Sequence, residues 1–428
     1  MAGVANAADI AFIRHLAALS ITRRASDYIF TTSSIRDRVF VYCTPGTLII
    51  LSRVCRTLRT DVDRYFEHAL DINAHLSRFF DNPRAFRSLQ ARTGTLISGS
   101  NALQFFERTV YEGSDLDLYV VDKKVHAVAK WLMEDAGYTF VPTQASLAGN
   151  PTMTFAEAVL ADTQHEHPDP VDEYTNRSGI KGLYNFEKTV QEGKAAPVRR
   201  KVQVVTAEDT AMRLILMFHS TVVMNVISYD RAYCFYPHVT FERRFTLQTR
   251  GSVPSDVKEK YISRGWAWIP DAHWGHSCSR LIKTHSRLPD RGPQPVSLHD
   301  QPRWAADRHS WVVRLPLDGV SASPTAYGDP CFATSWQLRS LCDMIGVDLP
   351  EEPDPEQEAY WQQTQCHLAI SFAIIRPLKY VHTYVSSSHR LRALMEDVGL
   401  MLRRVLIDGP RRRPDDTLYV LLCCDSRV

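Results

Sequence analysis

Apolar and polar residues change their period several times along the chain, and each change marks a change of element. After the Pro45-Gly46 turn, Thr47 to Leu51, Val54, Cys55 and Leu58, then Val62, Tyr65 and Phe66 recur at helical spacing, which predicts two or three short amphipathic helices within residues 1–92. From Thr93 the pattern alternates short apolar runs with helical stretches. Leu96-Ile97 reads as a strand, Asn101 to Phe106 as a helix with Leu103 and Phe106 inward, and residues 115–121 as a strand of period two. Further strands are expected at Leu183 to Glu187 and Lys201 to Val205, and a buried helix over Thr210 to Ile227, which is apolar nearly all round. The polar groups in that run, His219, Ser220 and Asn225, are expected to find hydrogen bonds in the core.

Turn residues divide what remains. Residues 143–176 are rich in Pro, Asp, Asn, Thr and His and lack a sustained period, as a long surface insertion would. An aromatic and basic stretch from Ala232 to His285 is expected to pack on the alternating region, so that 93–285 forms one domain. Residues 286–303 break every period and predict a linker, and 304–428 form a C-terminal α+β region. Within it Ser310 to Leu315 and Thr417 to Cys424 read as strands, and Trp336 to Ile345, Cys366 to Tyr384 and Leu391 to Leu406 as helices. The fold class is α/β of the α+β kind. No repeat at solenoid or propeller periods is present.

Composition narrows the class without naming an activity. The 428 residues are 44% hydrophobic and 23% charged, ordinary values for several globular domains, and a formal charge of +2 gives no global pull towards nucleic acid or anionic lipid. Any phosphate contact must therefore be local. The nine Cys are scattered without a C-x-x-C spacing, as reduced thiols would be. Residues Met1 to Ile21 mix apolar residues with Asp9, Arg14 and His15, unlike a secretory leader, and no run reaches bilayer length. An intracellular protein, cytoplasmic or nuclear and without a membrane partner, is expected.

The chemistry concentrates in Thr95 to Phe106 and Gly113 to Val121. A strand ending in Gly99-Ser100 and opening a helix presents backbone N–H groups to an anion, with the helix dipole favouring its charge and Ser100 adding a hydroxyl donor. In the strand that follows, Asp115, Asp117 and Tyr119 fall on one face while Leu116, Leu118 and Val120 enter the core. Two like charges so placed call for a divalent cation, and hard carboxylate oxygens suit Mg²⁺.

Gly-Ser, a helix, then Asp-x-Asp between apolar residues resembles the signature of the polymerase-beta-type nucleotidyltransferase superfamily over residues 94–121. The resemblance implies a nucleotidyltransferase-like short mixed sheet backed by helices. It also implies that Gly99 and Ser100 hold nucleotide phosphates, and that Asp115 and Asp117 are catalytic and ligate Mg²⁺, or Mn²⁺ in its place. The partner would be a nucleoside triphosphate, and the reaction transfer of a nucleotidyl group to a protein, RNA or small-molecule hydroxyl. Active members carry a third carboxylate on a later strand; here the matching strand offers Gln203, an amide that neither takes a proton near pH 7 nor binds Mg²⁺ as a carboxylate does. Glu187, Glu208 and Asp209 are the substitutes to consider.

The Pro45-led segment with Leu51 to Arg59 resembles the latter half of an F-box helical module, which implies a ubiquitin-ligase adaptor as partner. On that reading the α/β domain is a non-catalytic recognition surface with a degenerate site. A third alternative keeps the fold and performs tRNA-dependent aminoacyl transfer. His165-Glu-His167 with Asp162 and Asp169, and Trp274 to Cys278, carry metal-ligand residue types without completing a site. The Arg199-Arg200-Lys201 run is a weak phosphate-contact candidate and Arg411 to Arg413 a solvated turn. Walker, dinucleotide and Ser-His-Asp motifs are absent.

Overall fold

A computed structural model describes residues 32–142, 152–164, 180–191, 197–207, 210–249, 253–269, 302–322, 331, 334–340 and 368–374. The expected metal-type clusters at 165–169 and 274–278, the substitutes Glu208 and Asp209, and every expectation beyond residue 374 lie outside them. So does most of the predicted linker.

The protein is mixed α/β. Helices α1 (Ser33–Tyr42), α2 (Pro45–Leu51) and α3 (Arg56–Ala69) form a small module around Phe40, Cys43, Leu48 and Val62. Short helix α4 (Ile72–Leu76) and α5 (Pro83–Thr93) follow, each begun by a side chain that accepts from the first turn, Asp71 and Asn82. Gly94, at φ 70°, ends α5 in the left-handed conformation that suits glycine.

Then comes the segment in which the chemistry is concentrated: β1 (Leu96–Ser98), α6 (Gly99–Glu107) and β2 (Leu116–Val121). Helix α7 (Val125–Glu134), β3 (Thr139–Val141), α8 (Phe155–Gln164), β4 (Ile180–Val190) and β5 (Val198–Ala207) complete this half. Beyond them lie α9 (Ala211–Leu216), β6 (Asn225–Ile227), β7 (Arg231–Cys234), a π-turn at His238–Glu242, β8 (Phe245–Leu247), α10 (Ser255–Ser263) and β9 (Ala267–Ile269). The last strands are β10 (Pro302–Trp304), β11 (Trp311–Arg314), β12 (Thr334–Ser340) and β13 (Leu368–Ile374).

Eight strands form one mixed sheet in the order β11-β7-β6-β1-β2-β5-β4-β3. Every pairing in it is antiparallel except β2 with β5, whose parallel register sets Asp117 beside Gln203. Side-chain alternation splits the sheet between two cores. Leu116, Leu118, Val120, Val202 and Val204 face α5, α6 and α7 through Phe86, Leu103, Phe106 and Leu132. On the other face Leu96, Tyr119 and Val205 meet Met212, Ile215 and Leu216 of α9. Asp115 and Asp117, at the start of β2, are half-buried.

Four expectations are corrected. The run Thr210 to Ile227 is not one helix: α9 ends at Leu216, and Asn225–Ile227 is a strand between β1 and β7. Val222 and Val223 lie in a 3-10 turn, Thr221–Val223; a strand buried on both faces shows the same continuous apolar run as a buried helix, and β-branched Val226 and Ile227 favour the pleat. Inside the expected insertion, α8 buries Phe155, Ala158 and Val159 in the main core. Thr334–Ser340, which overlaps the expected helix from Trp336, and Leu368–Ile374, inside the expected helix from Cys366, are instead paired strands. Finally β11, which the pattern places beyond a linker, is the edge strand of the main sheet. Arg303, almost wholly buried, ties the same segment down through Asp307 and the Phe235 carbonyl, the latter at 2.7 Å.

Candidate functional site

The site forms where β1 passes into α6 and β2 begins. Register places Ser98, Asp117, Gln203 and Asn185 side by side across four strands and on one face. Ser98 turns its hydroxyl to the Asn225 carbonyl at 2.5 Å, fixing the turn to β6. Gly99 follows at φ 68° and opens α6. Its α-carbon lies so close to the acid strand that a Cβ there would sit 2.7 Å from Asp117 Oδ2. The N–H groups of the first turn of α6 have no partner within the helix, and Ser100 stands among them. Gly99, Ser100 and Asp117 are therefore brought together, and Asp115 stands with Asp117 on the alternating face.

Charge at this point is unbalanced and partly compensated. Burial, and then the neighbouring Asp115 carboxylate, push Asp117 up to about 6, while Lys260 and Lys201 oppose the rise. Lys201 Nζ stands 3.3 Å from Asp115 Oδ2. Lys260, on α10, is pulled below the usual ammonium range by burial and by Arg264, against the pull of both aspartates. Two ammonium groups thus border two carboxylates.

The third position is neutral. Gln203 Nε2 donates to Asn185 Oδ1 at 3.0 Å, so an amide pair occupies the row beside Asp117. Glu187 is on the same face, opposite Lys201, but its carboxylate is engaged by Arg199 at 2.9 Å. Of the basic run, Arg199 and Lys201 accordingly serve as partners to acids. Among the described residues no group of three or more His, Cys, Asp or Glu side chains gathers to hold a metal.

Asp115 and Asp117 are the residues that could hold a cation. Burial, and then the Asp115 charge, raise Asp117, and Gly99 sets no side chain against its Oδ2.

A supporting network went unnoticed in the sequence. Gln104, buried on α6, donates to Ser114 Oγ at 2.9 Å and to the Ser100 carbonyl at 3.1 Å, and accepts from Arg78 and the Tyr111 N–H. It joins the Gly-Ser turn to the residue before Asp115. His75 Nε2 pairs with Asn101 Oδ1 at 2.7 Å, and burial together with Arg78 holds this imidazole down at about 4. The Nδ2 of Asn101, buried in the first turn, has no partner among the described residues. Helical spacing from the Gly-Ser turn flags Asn101 and Gln104. Nothing local flags His75, Arg78 or Lys260, which arrive from other elements.

Comparison with protein-family models, with curated proteins and with solved structures finds no match to this chain. No helix among the described residues is long and apolar enough to cross a membrane.

Proposed function

We propose that the chain is a nucleotidyltransferase-like protein that binds a nucleoside triphosphate together with Mg²⁺ or Mn²⁺. Asp115 and Asp117 hold the cation, and the N–H groups at Gly99 and Ser100 receive the phosphates. The observation that carries this reading is the close approach of Gly99 to Asp117, where a Cβ would stand 2.7 Å from Oδ2: the helix-opening turn and the acid meet with no side chain between them. A bound cation would neutralise phosphate charge. The chain's own groups orient the triphosphate, with Lys201 and Lys260 adding charge at the rim. An enzyme of this kind would transfer the nucleotidyl group to a protein, RNA or small-molecule hydroxyl.

Thermal stability with each nucleoside triphosphate, with and without Mg²⁺, on wild type and Asp117→Ala tests it. Metal-dependent stabilisation lost in the variant supports the site; no shift at saturating ligand sinks it.

A second reading is favoured by the Gln203–Asn185 amide pair, which stands where catalysis wants an acid. On it the protein binds without turnover and acts as a recognition module, with α1–α3 as an F-box-like adaptor-binding segment. Exposed Tyr42, Ile50 and Val54 on that module suit a protein partner. Binding of a purified ubiquitin-ligase adaptor, lost in Ile50→Asp, would support this reading; failure to bind would remove it.

A further inference from the structure

A second concave surface lies away from the carboxylate pair and shares no residue with it. It is a cleft of about 380 Å³ between α2, the π-turn at His238–Glu242 and the loop before β11, a size that suits a small ligand rather than a chain segment. Trp311 supplies aromatic surface, while Tyr236, 2% exposed, forms part of the floor. Trp311 is held by Phe66, Phe106 and Phe241, with ring centroids 5.8, 5.1 and 6.2 Å away, so its ring is pre-placed.

The polar groups of the cleft are lopsided. Arg53 and Arg308 reach it from separate elements, both exposed, and neither meets a carboxylate among the described residues. Glu242 is the one acid in its lining, and that carboxylate is turned aside: it accepts from the Gly46 N–H at 2.8 Å and from Thr44 Oγ1 at 2.5 Å. Two imidazoles complete the set. Burial, then Arg243 for His238 and Arg303 for His309, lowers both, which leaves them neutral near pH 7. Arg308 Nε donates to His309 Nε2 at 3.0 Å, so Nδ1 of that ring carries the proton and is a donor. The cleft offers cations and donors with no free anion, beside the Trp311 indole.

We propose that this cleft binds a small aromatic phosphomonoester, its phosphate held by Arg53 and Arg308 and its ring laid against Trp311. Two guanidiniums lining one cleft suit a phosphate dianion, and a pre-placed indole suits a planar ring.

Calorimetric titration of the full chain with phenyl phosphate in EDTA tests it, since the chelator removes divalent cations from the aspartate pair. One equivalent should bind, at least about tenfold more weakly in Arg53→Ala and in Arg308→Ala, with Asp117→Ala unchanged. Inorganic phosphate and phenol should each bind at least about tenfold more weakly than phenyl phosphate. Both arginines are exposed, so unchanged thermal midpoints are expected to certify the variants' folding. No binding to wild type, or equal affinity in both arginine variants, overturns the proposal. So does inorganic phosphate binding as tightly as the aromatic ester, or loss of binding in Asp117→Ala alone, which would return the ligand to the aspartate site.

Discussion

Gly99 and Asp117 lie so close that a single methyl group between them would stand 2.7 Å from the carboxylate oxygen. Gly99→Ala therefore meets two penalties, the left-handed backbone at φ 68° and the displaced Asp117. We expect a loss of about 2–4 kcal/mol and no nucleotide-dependent stabilisation. Gly113 has a similar φ of 66° with nothing near its missing Cβ. Gly113→Ala should cost only about 1–2 kcal/mol and leave ligand response intact. Equal effects of the two substitutions in thermal unfolding with and without ligand would refute the close-approach account.

Gln203→Asp converts the neutral row position into a third acid beside Asp117. Without metal the variant loses the Asn185 hydrogen bond and gains repulsion, at a cost of about 1–3 kcal/mol. With Mn²⁺ or Mg²⁺ that loss should reverse, and metal should raise the variant's melting temperature more than the wild type's. A variant indifferent to metal would show that the row does not converge on one ion.

Much of this site was legible because it is local. The succession Leu96-Ile97, Gly99-Ser100, helix, Asp115-x-Asp117 lies within a short span, and period two assigns the faces of β2 directly. The same period on β5 put Gln203 forward as the residue in the third position. What stayed hidden comes from pairing between distant segments. Asn225 to Ile227 carries the same apolar pattern whether helical or buried between strands, and only its partners β1 and β7 decide. Lys260 approaches the aspartates from a helix whose own sequence has no reason to point there. The period break at residues 286–303 hides the return of β11, because a turn-rich stretch shows where regular structure stops but not whether the chain comes back.

Buried Arg303 and Asp307 form an ion pair, both side chains 1% exposed. Arg303→Met removes the donor that Arg303 supplies to the Phe235 carbonyl and the buried cation beside Asp307, which keeps only the Trp304 and His309 N–H groups and Ser310 Oγ, and should cost about 3–5 kcal/mol. Arg303→Met with Asp307→Leu should recover part of that loss. Denaturant unfolding of the single and double variants measures it, and strict additivity would contradict the pairing.

His75 gives a pH dependence of definite sign. Its folded-state value of about 4 lies below the ordinary 6.5, so the neutral ring is favoured by folding. Its contribution is complete above pH 6.5 and is lost as pH falls towards 4, because the unfolded chain takes up the proton first. His75→Gln keeps a donor for Asn101 and removes the titration, which should flatten stability across that window by roughly 1–3 kcal/mol. Urea midpoints measured from pH 7 to pH 4 decide the matter; parallel curves for wild type and variant would rule His75 out.

The edge position of β11 also has a consequence for synthesis on the ribosome. Strand β7 gains its outer neighbour only when residues 311–314 emerge, and Arg87 waits for the Pro316 carbonyl, 229 positions away in sequence. Until then the nascent chain carries an unpaired strand edge, the kind of surface that pairs with other chains. With pairings this non-local, the sheet should close late and slowly, and the interval before β11 arrives is when the chain depends most on chaperones.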